Sequence, residues 1–374
     1  MKKQAEVVII GGGVVGCAIA YFLRKAHVEV MVLERDEIGS HASSAAAGLV
    51  APLGPLSGPG PFADLVLAGF ALLPSLVAEL EDLSGIPIGF ARTGALRVVR
   101  NPKRIAHLQK RLNSWQPLGL QLFWLSGAEA RRYEPHLASD ICAAVYAPDE
   151  AQLEAPRLVQ AFAQAARKRG AQLYPQQEVI DLMRSKTKVV GVRTSTGETV
   201  GCDHLIIASG AWTATWGKAL QTELPVSPLH GQLIEFPQLS TPLHHIIFGE
   251  GAYLAPREQT IIVGATKEER GFETQVTEQG VTWLKATATR LVPAISVSQI
   301  NKAWAGLRPK TADSQPIFAR LPQWENVMIA GGHNSVGLIL SGITGQEMTR
   351  MLVTGQTPAL LLPFSLERFC QATE

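Results

Sequence analysis

A glycine-rich turn near the start of the chain restricts its fold more than any other feature of the sequence. Residues 6–10 (Glu-Val-Val-Ile-Ile) predict a buried strand, residues 11–16 fit the pattern G-x-G-x-x-G, and residues 17–26 predict a helix. In such a unit Gly11 makes the tight turn, Gly13 lets a pyrophosphate approach the backbone, and Gly16 lets helix and strand pack closely. The first turn of the helix offers N–H groups and a positive dipole end to the phosphates. The chain is therefore predicted to bind a dinucleotide.

An acidic residue restricts the choice of dinucleotide. Glu34 follows the second predicted strand, residues 28–33. A carboxylate at the end of this strand accepts hydrogen bonds from ribose hydroxyls and repels a 2′-phosphate, which disfavours NADP. These residues alone leave NAD and FAD open.

Length and composition place the chain among globular proteins of two domains, or of one domain with an insertion. It has 374 residues, 46% hydrophobic and 18% charged, with a net charge of +2. That charge is too small to indicate nucleic-acid binding.

The four cysteines form no C-x-x-C pair and no signal peptide is visible, so we expect a cytoplasmic protein without disulfides. The uncharged stretch 65–78 is too short to span a bilayer, and His244–His245 lack a third ligand, so neither a transmembrane segment nor a metal site is expected.

The order of signals along the chain predicts two interleaved domains. Glycine-rich turns and buried strands of the cofactor-binding kind occur at the start, near 150–212 and near 305–350, with strand-rich segments between them. We assign residues 1–85, 149–225 and 301–374 to a cofactor-binding domain, and residues 86–148 and 226–300 to a substrate-binding domain.

Five segments of the chain carry a resemblance to a known family, and they are Val8–Gly16, Ser43–Leu49, Leu205–Trp212, Trp304–Pro309 and Gly331–Gly337. In sequence and in order they resemble the D-amino acid oxidase family of flavoenzymes, and most closely its glycine oxidase branch, which serves thiazole assembly in thiamine synthesis. The resemblance implies an α/β fold: a Rossmann-type, glutathione-reductase-like FAD-binding domain with an interleaved α+β substrate domain built on an antiparallel sheet. It also implies FAD as the cofactor.

We expect the FAD to be bound non-covalently, because residues 310–318, near which sarcosine oxidases carry their linking cysteine, contain none. The helix that begins at Gly337 would point its N-terminus at the flavin and stabilise negative charge there. The expected FAD-binding residues are Gly11, Gly13, Val14, Val15, Gly16, Glu34, Arg35, Ser43, Ser44, Ala47, Gly48, Leu49, Val179, Gly210, Trp212, Gly332, His333, Asn334, Ser335, Val336, Gly337, Leu338 and Ile339.

The resemblance also indicates how a substrate is held. Arg308 matches the arginine that binds the substrate carboxylate, and a guanidinium suits that task because it forms two parallel hydrogen bonds. Tyr253 matches a tyrosine whose hydroxyl helps to hold the carboxylate. Ser335 stands where glycine oxidases carry a second substrate-binding arginine, and Arg257 is one candidate to supply that charge instead. We expect His333 to be a packing or hydrogen-bonding partner, and we assign no residue as a general base.

These observations predict an oxidase that transfers a hydride from the α-carbon of a small amine to flavin N5. The product is an imine, and oxygen reacts to hydrogen peroxide. One alternative is an amine dehydrogenase for D-amino acids, sarcosine or proline-like substrates, with a quinone or partner protein as acceptor. Another is a flavin-carrying subunit that is inactive alone. The resemblance to glycine oxidases implies that the protein forms a homotetramer.

Overall fold

The computed structural model describes the backbone of residues 3–373 and the side chains of residues 3–369. The helices are α1 (Val14–Lys25), α2 (Ala42–Ala45), α3 (Pro61–Ser84), α4 (Ile105–Trp115), α5 (Gly127–Tyr133), α6 (Ala155–Lys168), α7 (Gly217–Leu220), α8 (Glu278–Leu291) and α9 (Gly337–Thr354). The strands are β1 (Gln4–Ile10), β2 (Val30–Leu33), β3 (Leu49–Val50), β4 (Ala95–Val99), β5 (Phe123–Ser126), β6 (Ala143–Ala147), β7 (Ala151–Gln152), β8 (Gln172–Tyr174), β9 (Val179–Ser185), β10 (Lys188–Thr194), β11 (Thr199–Ile207), β12 (Ser227–Pro237), β13 (Ile246–Gly249), β14 (Ala252–Pro256), β15 (Thr260–Gly264), β16 (Lys302–Lys310), β17 (Ile317–Arg320) and β18 (Val327–Gly331).

The first sheet is built around parallel strands. In the described residues its order is β17-β18-β11-β1-β2-β8, with the β9–β10 hairpin added alongside β11. Strand β11 is continuous from Thr199 to Ile207: it pairs with β1 along most of its length, while its first half also pairs with β10 and its second half with β18.

Both faces of the first sheet are covered, so its central strands are apolar throughout. Val7 and Ile9 of β1 belong to the core shared with α1, α6 and α9. Val8 and Ile10 point to the other face, where they join the core beneath the β9–β10 hairpin. Burial on both faces is typical of parallel strands and explains why the sequence shows a continuous apolar run here.

The second sheet has the order β16-β12-β15-β14-β13-β4-β6-β5 within the described chain, and its paired strands are antiparallel except for β13 and β4. Phe236, Leu254 and Val263 point to the face covered by α8, which contributes Leu284 and Leu291. The mixed α/β architecture predicted from the sequence is confirmed.

One boundary of the predicted domains is wrong. We assigned residues 301–374 to the cofactor domain, but β16 pairs along its whole length with β12 in the second sheet. Gly306 misled the assignment, since it is not a turn residue: a Cβ there would lie 2.5 Å from the Cβ of Ala45. The glycine lets β16 approach the end of α2, and the rest of the division stays a prediction.

Helix α3 is longer than the apolar stretch recognised in the sequence. It runs for 24 residues and is long and apolar enough to cross a bilayer by length and composition. However, Leu65, Leu73 and Leu80 are buried in the core that also contains α6 and α9. Along one face, α3 is therefore a core helix of the first domain.

Candidate active site

Two joined cavities lie where the carboxyl ends of β1 and β11 meet the second sheet. The first has a volume of about 1080 Å³ and the second about 1020 Å³, both including space open to solvent. Gly13, Ser43 and Gly210 line both of them, so together they form one elongated cleft. Ligands of parallel α/β sheets bind at this edge, and the length suits a dinucleotide that carries a flat ring at one end.

The glycine turn has the close backbone contacts that the motif requires. Gly11 has a φ of +111°, and a Cβ there would lie 2.4 Å from the carbonyl oxygen of Ala208. A Cβ on Gly16 would lie 1.9 Å from the carbonyl oxygen of Gly11, so Gly16 serves packing and lines neither cavity. The N–H of Val14, in the first turn of α1, donates to the Oγ of Ser43 at 3.0 Å. The start of α1 thus faces the junction of the two cavities.

Glu34 lines the second cavity at the end of β2. It is only 7% exposed, and its carboxylate accepts the N–H groups of Gly12 at 2.6 Å and Asp36 at 3.1 Å. These bonds fix the carboxylate, and its remaining lone pairs are free to accept ribose hydroxyls. The structure is therefore consistent with a ribose at this end of the cleft.

An aromatic cluster lies at the second cavity, which Arg35, His41 and Trp212 line. The guanidinium of Arg35 lies 3.7 Å from the ring centroid of Trp212, and the ring of His41 lies 4.8 Å from it. Phe272, from the loop after β15, stacks on Trp212 at 5.6 Å and is 48% exposed. Arg35 and Trp212 were predicted from the sequence, whereas His41 and Phe272 were not, since no motif marks them. Val179 lines the same cavity.

This cluster leads to a prediction about cofactor affinity. We expect Trp212→Ala to weaken FAD binding about tenfold, because base–aromatic stacking contributes roughly 1–3 kcal/mol. The measurement is the dissociation constant of FAD from the reconstituted apoprotein, followed by flavin fluorescence. Trp283→Ala is the matched control, since Trp283 lies on α8, is 37% exposed and lines neither cavity. Equal dissociation constants for wild type and Trp212→Ala would remove Trp212 from the cofactor site.

Small residues form one wall of the first cavity. The wall runs through α2 to β3 and consists of Ala45, Ala46, Ala47, Gly48 and Leu49. Ser44 is turned away, with its hydroxyl donating to the carbonyl of Gly39 at 2.6 Å, and it lines neither cavity. Such a wall allows a flat ring to approach the backbone closely.

The N-terminus of α9 forms the opposite wall. Gly337 and Leu338 line the first cavity, as do Asn334 and Ser335 in the preceding loop. Of the residues that we expected to bind FAD here, three lie behind the wall and do not line the cavity, namely Gly332, Val336 and Ile339. The helix dipole favours negative charge in the cavity, which is the electrostatic requirement of a reduced flavin.

His333 lines the first cavity but is held as a neutral side chain. It is 3% exposed, its Nε2 lies 3.1 Å from Thr344 Oγ1, and its ring packs edge-on against Phe318. Burial lowers the pKa of His333 from 6.5 to about 4. The side chain therefore adds no positive charge to the cavity at neutral pH.

The depressed pKa of His333 makes stability depend on pH. In the unfolded chain His333 binds a proton below about pH 6.5, whereas in the folded chain it stays neutral down to about pH 4. The neutral form's contribution to the free energy of unfolding is therefore lost as pH falls from 6.5 to 4. We expect the free energy of unfolding of wild type to fall more steeply than that of His333→Gln, by about 1 kcal/mol per pH unit. Urea unfolding of the two proteins at pH 7.5, 6.5 and 5.5 measures this. Parallel pH curves would contradict it.

Arg308 and Tyr253 line the far end of the first cavity from the second sheet. Nη1 of Arg308 donates to the carbonyl of Thr266 at 3.1 Å, and among the side chains of residues 3–369 no carboxylate forms an ion pair with it. Burial raises the pKa of Tyr253 to about 12, so its hydroxyl stays protonated and able to donate. A carboxylate placed here would meet a cation without an acidic partner and a hydroxyl donor.

Gly231 was missed by the sequence analysis. A Cβ at this position would lie 2.2 Å from Nη1 of Arg308, so the missing side chain leaves space for the guanidinium. Gly231 lies inside β12, and a glycine within a strand often marks such a close approach.

The proposed replacement for the second arginine is wrong. Nη2 of Arg257 donates to the carbonyl oxygens of Ala47 and Leu153, and its Nε lies 3.6 Å from Glu154. Arg257 thus lies behind the small-residue wall and lines neither cavity. Backbone carbonyls attract the guanidinium there. Ser335 lines the first cavity, as expected from its place in the sequence.

The described side chains offer no cysteine to the cavities, whose linings contain none. Cys17 and Cys202 are buried in the cores, where burial raises the pKa of each thiol to about 12. The side chain of Cys370 lies outside the described residues. Non-covalent attachment of FAD stays a prediction.

Comparison with known proteins identifies the family. Residues 6–351 match the DAO family model, described as FAD dependent oxidoreductase. A glycine oxidase of Geobacillus kaustophilus is 34% identical over 98% of both chains, and its crystal structure superposes with a TM-score of 0.93 over 98% of this chain and 99% of that one. The glycine oxidase structure from Bacillus cereus is 31% identical, with a TM-score of 0.89 over 96% and 97% of the two chains. A bifunctional protein ThiO/ThiG of Synechocystis is 33% identical over 100% of this chain, which spans 55% of that protein. The chain belongs to the DAO family of FAD-dependent oxidoreductases.

Proposed function

We propose that this protein oxidises a small amino acid to its imine. The observation that carries the proposal is the guanidinium of Arg308, which faces the first cavity with no acidic partner among the described side chains. A buried cation is costly unless an anion pairs with it, and a substrate carboxylate is the anion that fits a guanidinium in two parallel hydrogen bonds.

The residues around the cavity act by positioning. Arg308 binds the carboxylate, and the protonated hydroxyl of Tyr253 donates a second hydrogen bond to it. Bound FAD supplies a two-electron acceptor for the hydride that leaves the α-carbon. If the amine binds unprotonated, no residue has to remove a proton, and the neutral His333 is consistent with this.

The relatives support amino acid oxidation over other chemistry of the family, since the 34% and 31% identical proteins with superposable structures are glycine oxidases. The Synechocystis ThiO/ThiG protein supports a supply of imine for thiamine synthesis. Ser335 argues against an identical substrate preference, because a neutral hydroxyl does not replace a second cation.

Anaerobic reduction of the bound flavin tests the proposal. We expect glycine, sarcosine or a D-amino acid to bleach the flavin absorbance near 450 nm, and re-oxidation by air to release hydrogen peroxide. Bleaching that is reversed by a quinone but not by oxygen would identify a dehydrogenase instead. A flavin that no amino acid bleaches would contradict the proposal and favour a subunit that is inactive alone.

Two further expectations remain proposals. A cytoplasmic location agrees with the cysteine usage, and a homotetramer is implied by the resemblance to glycine oxidases. Light scattering of the purified holoprotein measures the second directly.

A further inference from the structure

A third cavity adjoins the substrate end of the first. Its volume is about 770 Å³, including space open to solvent. Arg308, Asn334 and Ser335 line both cavities, so a ligand held by Arg308 can extend from one into the other. The third cavity is therefore an extension of the proposed amino acid site.

The charges that line this extension are mainly positive. Besides Arg308, it is lined by Lys267, Lys310 and one acid, Glu269. Glu269 pairs with Lys310 at 2.8 Å and is itself 79% exposed. Lys267, exposed in the turn after β15, forms no ion pair with any side chain in the described part of the chain. The cavity is thus lined by Lys267, which has no acidic partner among the described side chains, and by Lys310, whose partner Glu269 is exposed to solvent.

Ser335 is a neutral residue that lines both the first and the third cavity. It therefore adds no charge where the two cavities meet. Besides Arg308, the positive charge of the third cavity therefore comes from Lys267, after β15, and from Lys310, at the end of β16.

We propose that the site selects amino acids with a second carboxylate, such as D-aspartate or an N-carboxymethyl amino acid. This rests on the proposed function: Arg308 holds the α-carboxylate, and the second carboxylate enters the third cavity. Lys267 and Lys310 attract it there, and Glu269 opposes it by pairing with Lys310. Exposed pairs of this kind are weak one at a time, so each lysine is expected to change discrimination by about threefold and the two together by about tenfold.

Two pairs of isosteric compounds measure this selection. D-aspartate is compared with D-asparagine, and N-carboxymethylglycine with its monoamide, so that each pair differs by one charge at constant size. The readout is the ratio of second-order rate constants for anaerobic flavin reduction of the holoenzyme, acid over amide. We expect a ratio above 1 for both pairs that falls towards 1 as salt is raised, because salt screens exposed charges.

Variants with opposite expected effects on the acid-over-amide ratio distinguish charge selection from a structural effect. Lys267→Met and Lys310→Met should each lower the acid-over-amide ratio about threefold, whereas Glu269→Gln should raise it about twofold by freeing Lys310. Lys110→Met is the control: it removes the same charge from an exposed site on α4 that lines none of the three cavities, and should leave the ratio unchanged.

The outcomes divide clearly. A ratio at or below 1, or a ratio that the Lys267→Met and Lys310→Met double variant leaves unchanged, overturns the proposed selection while amino acid oxidation stands. Flavin that none of the acids, amides or simple amino acids reduces overturns both this inference and the proposed function. A ratio above 1 that the lysine variants lower and Glu269→Gln raises supports the inference.

Discussion

Arg308→Ala is expected to lower kcat/KM for a carboxylated amine by about 10²- to 10³-fold, or roughly 3–4 kcal/mol, because the substrate carboxylate then enters a partly buried site without its charged partner. Most of the loss should appear in KM, since the carboxylate pair is made in the bound substrate as well as in the transition state. Arg308→Lys should recover only part of it, because an ammonium keeps the charge but lacks the planar pair of donors. Steady-state kinetics measures all three proteins.

A substrate without a carboxylate provides the control for this prediction. Ethylamine is expected to react slowly with wild type, and Arg308→Ala should leave its kcat/KM within about threefold, since no carboxylate pair is lost. FAD content should also be unchanged. Equal kinetics of wild type and Arg308→Ala with the carboxylated amine would remove Arg308 from the substrate site.

Glu150→Ala is expected to destabilise the protein by about 3–5 kcal/mol, because it leaves the guanidinium of Arg97 buried without its partner. The two side chains form two hydrogen bonds, of 2.6 and 2.8 Å, and are 7% and 1% exposed. Glu150 also accepts the N–H of Leu53 at 3.1 Å, so it ties the chain after the small-residue wall to the second sheet. Urea unfolding of the holoprotein gives the change in free energy.

A second ion pair, beside the same sheet, shows how exposure changes the cost of losing one partner. Arg100 and Asp140 are 2.5 Å apart, with exposures of 24% and 54%. Asp140→Ala should cost less than about 1 kcal/mol, because solvent screens the pair. Replacing both buried partners, in Arg97→Met with Glu150→Leu, should recover much of the loss. Similar costs for Glu150→Ala and Asp140→Ala would show that burial is not what makes the first pair important.

Much of the cofactor cleft could be predicted because its signals are local. The spacing of Gly11, Gly13 and Gly16 predicts where the backbone turns, where it admits a ligand and where the helix packs against the strand. Each of these requirements is met within one βαβ unit. Glu34 is fixed by the same unit, since β2 ends beside the glycine turn. Such constraints need only the neighbouring residues of the chain.

Other parts of the site could not be predicted because they depend on distant contacts. Arg257 looked available for substrate, but carbonyls of Ala47 and Leu153, far from it in the sequence, hold its guanidinium. The position of Phe272 on Trp212 and the packing of Gly306 on Ala45 likewise join segments that no short motif connects. No local sequence pattern shows whether the guanidinium of an arginine will be held by backbone carbonyls or will face a cavity.

The sequence by itself determined the glycine turn of a dinucleotide-binding unit and the acid after β2, because turn geometry and charge type are properties of short segments. Only the tertiary structure decided that β16 belongs to the second sheet, that His333 is neutral and that Lys267 and Lys310 border the site of Arg308. Burial and the distance between charges set these properties, and both arise only when separate segments pack together.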